Sequence, residues 1–181
     1  FKNNSQATNL PNSSQFGGNR TTVGFWQFNN CSGQSAYDTS QFGFHGTIGN
    51  SSAADNQDPA YNTTSKFGQC ALTFDGKDDI VNTTYFLDAN SSAFTIEAWV
   101  FPHDISNKVQ YVISNKNDDP EGISRSASIG FDSSVNDAFD FETDGATANP
   151  QTRAVTPYNW YHVADTWDNS TKRIYLNGVL E

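Results

Sequence analysis

The fold is decided by the stretch Ala71-Leu72-Thr73-Phe74-Asp75-Gly76-Lys77-Asp78-Asp79-Ile80-Val81. A short strand with Leu72 and Phe74 on one side runs into Asp75-Gly76, where glycine permits a sharp reversal of the chain. A second strand leaves with Ile80 and Val81. The stretch therefore predicts two strands joined by a tight acidic corner.

Three carboxylates, those of Asp75, Asp78 and Asp79, crowd this corner. Their mutual repulsion must be offset by water, by backbone N–H groups or by a cation. One interpretation is a solvated turn whose aspartates cap local N–H groups. The other is a calcium site, because Ca²⁺ takes six to eight oxygen ligands. Asp38 is a weaker candidate ligand for the same ion.

The rest of the chain repeats this pattern of short strands and turns, and no segment shows a helical period. Turn clusters recur at about ten-residue spacing, which is typical of an all-β sandwich or jelly roll. The predicted strands cover residues 23–28, 45–48, 93–101, 109–113, 127–131, 138–143, 160–167 and 173–176.

Two of these segments carry further detail. Residues 93–101 have apolar side chains on both faces, which predicts a central strand that ends at Pro102. Asn177-Gly178 is a strong signal for a two-residue hairpin turn, because both residues tolerate positive φ. The return strand has barely begun where the sequence stops.

Composition excludes several classes of partner. The formal net charge of −10 argues against nucleic acid and against an anionic membrane surface. No apolar run approaches the length of a membrane span. The sequence starts at Phe1 without a charged and then apolar leader, so a signal peptide would already have been removed.

The two cysteines, Cys31 and Cys70, are too few for a disulfide-dense scaffold. A single bridge between them would add about 3–4 kcal/mol in the chain-entropy description. Two unrelated buried thiols are the alternative. An oxidising compartment favours the bridge.

Asn-x-Ser/Thr sequons are more frequent than composition alone explains, and they indicate surface positions in a secreted glycoprotein. An Asn-rich polar surface that generates sequons freely is the alternative. The sequons lie at Asn3, Asn12, Asn19, Asn30, Asn50, Asn62, Asn82, Asn90 and Asn169.

Taken in order, these segments resemble the laminin-G-like, concanavalin A-like lectin/glucanase jelly-roll superfamily. The resemblance spans about residues 23–181. It rests on residues 24–28, 67–81, 94–100, 160–164 and 174–179.

The resemblance implies an all-β, two-sheet antiparallel sandwich over residues 23–181. Members of the family are mostly non-catalytic extracellular modules that bind glycans or proteins, often with a calcium ion. Because members continue for several strands past the hairpin, the resemblance also implies that the sandwich is C-terminally incomplete. The missing strands belong to a longer chain or to another chain. Residues 1–22 are a polar tail or linker, which could order against a neighbour as such a strand.

Enzymatic chemistry has a weaker basis. Asp140, Glu142 and Asp144 share one face of a strand, as paired carboxylates of a glycosidase would. Phenylalanines alternate with them, so a solvated face is the favoured interpretation. Glu97 is interpreted as structural, and a buried acid is the alternative.

The remaining ring-bearing residues give no strong site. His45 and His103 are scattered and form no zinc pattern, and His162 is predicted to be a packed core histidine. Trp26 and Trp99 are also predicted to lie in the core. Tyr158 and the loop at residues 117–121 are candidate surface contacts.

Three functions follow from the sequence. The first is a non-catalytic binding or adhesion module of a larger, extracellular or cell-surface glycoprotein, with glycans or extracellular proteins as ligands. The second is a structural subunit of an extracellular filament or appendage that self-assembles by strand exchange. The third is a glycoside hydrolase.

Overall fold

The computed structural model describes residues 22–84, 93–103, 105, 109–115, 127–132, 137–143 and 149–181. The chain divides after Tyr85 into two compact units. All regular elements of the described ranges are β-strands, so the predicted all-β class is confirmed. None of the described segments forms a helix of the length and apolarity that a membrane crossing requires.

The first unit consists of five short strands in two antiparallel sheets. A three-stranded sheet has the order β1-β2-β5, and β3 pairs with β4. The acidic corner therefore joins strands of different sheets, because β4 pairs with β3 whereas β5 pairs with β2. The strands are β1 (Ser35–Ala36), β2 (Gly46–Ile48), β3 (Ala60–Asn62), β4 (Ala71–Thr73) and β5 (Val81–Thr83).

Residues 23–28 do not form the predicted strand, and only the single bridge from Trp26 to Asp38 is made there. The segment is held by the buried carboxylate of Asp38 instead. This carboxylate accepts hydrogen bonds from the backbone N–H groups of Phe25, Ser40 and Phe44, at 2.7–2.8 Å. Burial alone would raise the pKa of Asp38, but these bonds and that from the Ser40 hydroxyl outweigh it and lower the pKa.

The predicted disulfide is confirmed. Cys31 and Cys70 are bonded, with their Cα atoms 5.5 Å apart and a sequence separation of 39. The bridge ties the turn after Phe28 to the residue preceding β4. Cys70 is buried with Ala36 and Ile48 in the small apolar interior of this unit.

The second unit contains the longer strands. Its four-stranded sheet has the order β12-β11-β10-β6, and its three-stranded sheet has the order β7-β8-β9. All pairings are antiparallel. The strands are β6 (Phe94–Val100), β7 (Val109–Ser114), β8 (Ala127–Asp132), β9 (Ala138–Thr143), β10 (Tyr161–Trp167), β11 (Lys172–Leu176) and β12 (Val179–Leu180).

The two sheets of this unit share one apolar core, which is the predicted sandwich. Phe139 and Phe141 of β9 face the core, as their alternation with polar residues predicts. From the other sheet, Val163, Ile174 and Leu176 fill the same cluster. The structure offers no test of whether residues 23–181 form one sandwich or of its C-terminal incompleteness, so both stay predictions.

The apolar residues of β6 predicted a central strand. Among the described strands it ends its sheet, with β10 as its neighbour. Phe94, Ile96 and Val100 pack on the core, whereas Thr95, Glu97 and Trp99 face solvent. The prediction was wrong because Trp99 was counted as a buried residue.

The hairpin predicted at Asn177-Gly178 is confirmed. Asn177 has φ 52° and Gly178 has φ 80°, which is the left-handed pair that such a turn requires. The turn pairs Tyr175 with Leu180 and Leu176 with Val179. Asn177 also accepts a hydrogen bond from the His162 N–H at 2.9 Å, which fixes the turn against β10.

Candidate functional site

The solvent-facing side of the four-stranded sheet carries a row of aromatic rings. The row starts on β6 and β10, where Trp99 and His162 are directly paired across the strands. It continues past the ends of both strands, because alternation places Phe101 on the side of Trp99 and Trp160 on the side of His162. The aromatic row is defined here as Trp99, Phe101, His103, Tyr158, Trp160 and His162.

The rings of the row make contacts within two groups: Trp99 with His162, and the other four rings with one another. The ring centroids of Trp99 and His162 are 5.1 Å apart, and those of Phe101 and Trp160 are 5.3 Å apart. Phe101 meets His103 edge-on at 5.4 Å, and His103 stacks on Tyr158 at 5.9 Å. These separations lie within the range of attractive aromatic pairs. The rings within each group therefore support one another.

The ends of the row are open to solvent. Trp99 is 41% exposed and Tyr158 is 68% exposed. The apolar ring area that stays exposed is unfavourable by about 25 cal/mol per Å². Contiguous apolar surface of this kind is typical of a binding site.

Tyr158 is held in place by its loop. Its N–H donates to the Pro102 carbonyl at 2.8 Å, which joins the loop to the end of β6. The preceding Thr156 N–H donates to the Tyr161 hydroxyl at 3.0 Å, and Asn159 donates to the Thr156 hydroxyl and the Pro157 carbonyl. The loop is thus fixed before any ligand arrives.

The backbone of Tyr158 is strained. Its φ is 62°, a left-handed conformation that a bulky side chain rarely adopts. Such a conformation costs about 1–3 kcal/mol and is found most often at functional sites. This conformation positions the exposed Tyr158 ring at one end of the row. Phe28 and Cys31 also have a positive φ, so the conformation supports a role for Tyr158 only together with the exposure of its ring.

Polar groups flank the row on the same face. Glu97 lies two residues before Trp99, with a side chain that is 62% exposed, and its Oε2 is 3.4 Å from the Nε2 of His162. Tyr175 of β11 lies across Ala164 from Glu97. These groups can exchange hydrogen bonds with a bound molecule beside the rings.

A second charged pair lies at the other end of β10, beside the turn that leads to β11. Arg173 donates to Asp168 at 2.7 Å. This hydrogen bond, with others from Ser170 and Thr171, lowers the pKa of the Asp168 carboxyl. Asp168 also caps the turn between β10 and β11, so the pair is part of the scaffold of the sheet.

Several sequence-based predictions are corrected by this geometry. Trp99 is not a core residue, and His162 is not a core histidine, because both lie on the outer face of the sheet. Glu97 is not buried. Trp26 is half-buried and donates its indole N–H to the Phe44 carbonyl at 3.0 Å. Tyr158 is a surface residue, as proposed, whereas the loop at 117–121 lies outside the described residues.

The acidic corner has the geometry of a capped turn. Gly76 has φ 74°, as the predicted reversal requires. Asp79 accepts a hydrogen bond from the Asp75 N–H at 2.6 Å, and Asp75 accepts one from the Lys77 N–H at 2.8 Å. Asp78 accepts a bond from the Asn56 side chain at 3.3 Å. The carboxylates therefore already have donors as partners.

In the described ranges, no three His, Cys, Asp or Glu side chains gather into a group that could hold a metal ion. Calcium at Asp75, Asp78 and Asp79 stays a prediction.

The acids of β9 do not form the predicted solvated face. Asp140 is buried, and the Asp140 carboxylate occupies the space that Gly130 leaves on the adjacent strand. Glu142 lies 3.5 Å from the Ser128 hydroxyl. Asp144 lies outside the described residues.

A further acid, Asp165, was missed by sequence reasoning. It is fully buried on β10, on the core-facing side with Val163, and no described residue makes a hydrogen bond to either carboxylate oxygen. Burial, with a smaller contribution from the charge of Asp140, raises the pKa of Asp165 to about 9. The signal was present in the sequence, since Asp165 has the core-facing parity of Tyr161, Val163 and Trp167.

The sequons fall mainly on accessible positions. Asn30, Asn50, Asn82 and Asn169 are exposed. Asn62 is half-buried, and its amide group donates to Thr73 and accepts from the Thr64 N–H. The structure does not test glycosylation, which stays a prediction. Asn3, Asn12, Asn19 and Asn90 lie outside the described residues.

Comparison with known proteins identifies the family. Residues 75–181, more than half of the chain, match the family described as the concanavalin A-like lectin/glucanases superfamily. No curated protein and no solved structure matches the chain. The match covers every strand of the sandwich in the second unit. Membership of this family supports a module that binds carbohydrate or protein. The chain belongs to the concanavalin A-like lectin/glucanases superfamily.

Proposed function

We propose that this chain is a non-catalytic, glycan-binding module of a larger extracellular glycoprotein, and that the aromatic row is its sugar-contacting surface. The observation that carries the proposal is the row itself, with exposed rings at both ends and contacts of 5.1–5.9 Å between neighbours. Family membership supports carbohydrate or protein as the ligand.

Aromatic rings suit sugars for a physical reason. One face of a pyranose ring presents C–H groups that carry partial positive charge, and the face of an aromatic ring is negative. Stacking buries apolar area on both partners, while hydroxyls at the sugar edge remain free for hydrogen bonds. Glu97 and Tyr175 lie beside the rings as partners for those hydroxyls.

An extracellular location is supported by three features. The disulfide between Cys31 and Cys70 persists in an oxidising compartment. The exposed sequons are positioned for glycosylation, and modules of this family are usually extracellular. Calcium remains part of the proposal as a ligand of the acidic corner, away from the aromatic row in the sequence.

A glycan array tests the proposal. We expect saturable binding by the wild-type chain and a loss of at least tenfold in affinity for Trp99→Ala, because a stacked ring contributes more than about 1.4 kcal/mol. Tyr111→Ala is the matched control. Tyr111 is 45% exposed on β7 of the other sheet, so its removal should leave binding unchanged.

Two outcomes would contradict the proposal. Either the array gives no saturable binding with any glycan, or Tyr111→Ala weakens binding as much as Trp99→Ala does. Assay of released reducing sugar on the bound glycans tests the non-catalytic part. We expect no release, and release that disappears in Glu142→Gln would revive the glycosidase hypothesis.

The filament hypothesis predicts multimers that resist dilution and that disassemble on deletion of residues 1–22. Light scattering over a dilution series measures this directly. A stable monomer would contradict strand exchange and leave the binding module unaffected.

A further inference from the structure

We propose that the aromatic row takes an uncharged oligosaccharide several sugar units long, and that Glu97 excludes sulfated and carboxylated chains. This inference rests on the proposed function and names the class of glycan that the same surface selects.

The length of the row indicates a chain and not a single terminal sugar. Trp99 and Phe101 lie two residues apart on one side of an extended segment, which separates them by about 7 Å. His103 follows at 5.4 Å from Phe101, and Tyr158 at 5.9 Å from His103. A single pyranose can stack on one of these rings, so the others would remain uncovered unless further units follow.

The charge beside the row selects against anions. Glu97 lies two residues from Trp99 on the same face, and its carboxylate is mostly exposed. A sulfate or carboxylate on a sugar stacked over Trp99 would lie close to this carboxylate. Repulsion between two such charges several ångströms apart would weaken binding about tenfold.

The described cations near this face do not offset that repulsion. Arg173 is paired with Asp168 at 2.7 Å, and the formal net charge of the chain is −10. The only described ionisable base within ion-pair distance of Glu97 is His162, at 3.4 Å, and an imidazole is ordinarily neutral at pH 8. Among the described residues, an anionic chain at that pH therefore meets the Glu97 carboxylate without a cation paired to it.

The test uses neutral hexasaccharides built from glucose, galactose, mannose or N-acetylglucosamine, each with its disaccharide and its sulfated hexasaccharide. Binding is measured by titration calorimetry at low salt and at pH 8, which lies above the usual titration range of imidazole. We expect at least one neutral hexasaccharide to bind about tenfold more tightly than its disaccharide and about tenfold more tightly than its sulfated form.

Glu97→Gln isolates the charge. We expect the ratio of neutral to sulfated affinity to fall at least about threefold in this variant, because the amide keeps hydrogen-bonding atoms and loses the charge. Glu142→Gln removes a carboxylate from β9 of the other sheet, so its ratio should match that of the wild type.

The possible failures are distinct. A sulfated chain that binds as tightly as its neutral form, a disaccharide that binds as tightly as its hexasaccharide, or an unchanged ratio in Glu97→Gln overturns this inference alone. If none of the probes binds, the inference and the proposed glycan-binding function both fail.

Discussion

Asp165 places a carboxyl group in the interior of the second unit, where neither oxygen has a hydrogen-bond partner among the residues that the structure describes. A charged carboxylate there would be strongly unfavourable, so burial keeps the group protonated at neutral pH and raises its pKa to about 9. Its ordinary value, and hence its value in the unfolded chain, is 3.8.

This difference predicts how stability depends on pH. Between about pH 4 and pH 9, Asp165 is protonated in the folded state and ionised in the unfolded state. The contribution of Asp165 to the free energy of unfolding is therefore largest below about pH 4 and falls as the pH rises. The slope is at most about 1.4 kcal/mol per pH unit. Urea unfolding across this range should show Asp165→Asn gaining stability relative to the wild type as pH rises.

Asp168→Asn is the matched control for that experiment. Asp168 is exposed and its pKa is lowered, chiefly by Arg173, so its contribution is present above the ordinary pKa and fades only as pH falls. Parallel stability profiles for the wild type and Asp165→Asn between pH 5 and pH 8 would contradict the assignment of Asp165.

Tyr158 gives a second prediction for a single residue. In Tyr158→Asn, the new residue tolerates the left-handed φ of 62° but removes the ring. We expect the midpoint of thermal unfolding to stay equal or rise, while glycan affinity falls at least about tenfold. Tyr158→Phe retains the ring and should retain binding. A large loss of stability in Tyr158→Asn would mean that the ring serves packing.

At the scale of elements, the disulfide predicts the stability of the first unit. Replacing Cys31 and Cys70 together by serine removes the cross-link between two positions that are 39 residues apart in the sequence. The chain-entropy description gives a loss of about 3–4 kcal/mol. Hydrogen exchange at Ile48 and Ala36, which are buried in the same unit, measures it.

The wild-type chain under reducing conditions is the control for the serine variant, and the two should exchange alike. Protection that differs by less than about 1 kcal/mol between the oxidised chain and the variant would show that the strands hold the first unit without the bridge.

The turn between β11 and β12 gives a prediction of its own. Gly178 has φ 80°, and a Cβ at this position would meet no atom within 4 Å. Gly178→Ala should therefore lose about 1 kcal/mol through backbone strain alone. Gly178→Asn, which tolerates this φ, should lose less, as measured by urea unfolding. Equal losses in the two variants would contradict this interpretation of the turn.

Sequence predicted the elements whose signals are local. Strand β9 and the turn at Asn177-Gly178 depend on alternation and on φ within a few residues, and both are as predicted. Pairing is not local, so the sequence did not show that β4 and β5 belong to different sheets. Residues 23–28 have strand-forming side chains but are held by Asp38, a partner that lies in another segment.

The candidate site shows the same limit. Alternation on β6 separated two faces but did not say which was inward, because Trp99 made the outer face as apolar as the inner one. The aromatic row joins segments that are about 60 residues apart in the chain. The sequence therefore identified Tyr158 as a surface residue but did not show that its ring lies beside the other rings of the row.

At the scale of the whole molecule, the account separates a scaffold from a surface. The scaffold has two parts. One is the second unit, with the apolar core between its two sheets, and the other is the first unit, which contains the disulfide. The surface is the aromatic row on one outer face. Variants of the row should change binding without changing the fold, whereas variants of the core should lower the free energy of unfolding first.

The most direct test of the central claim is a map of backbone amide chemical shifts, recorded with ¹⁵N-labelled protein during titration with a neutral hexasaccharide that binds. The account predicts that the shifts cluster at residues 97–103 and 158–162 and that they vanish in Trp99→Ala. Shifts confined to the acidic corner at residues 75–79, or spread over the sheet formed by β7, β8 and β9, would contradict it.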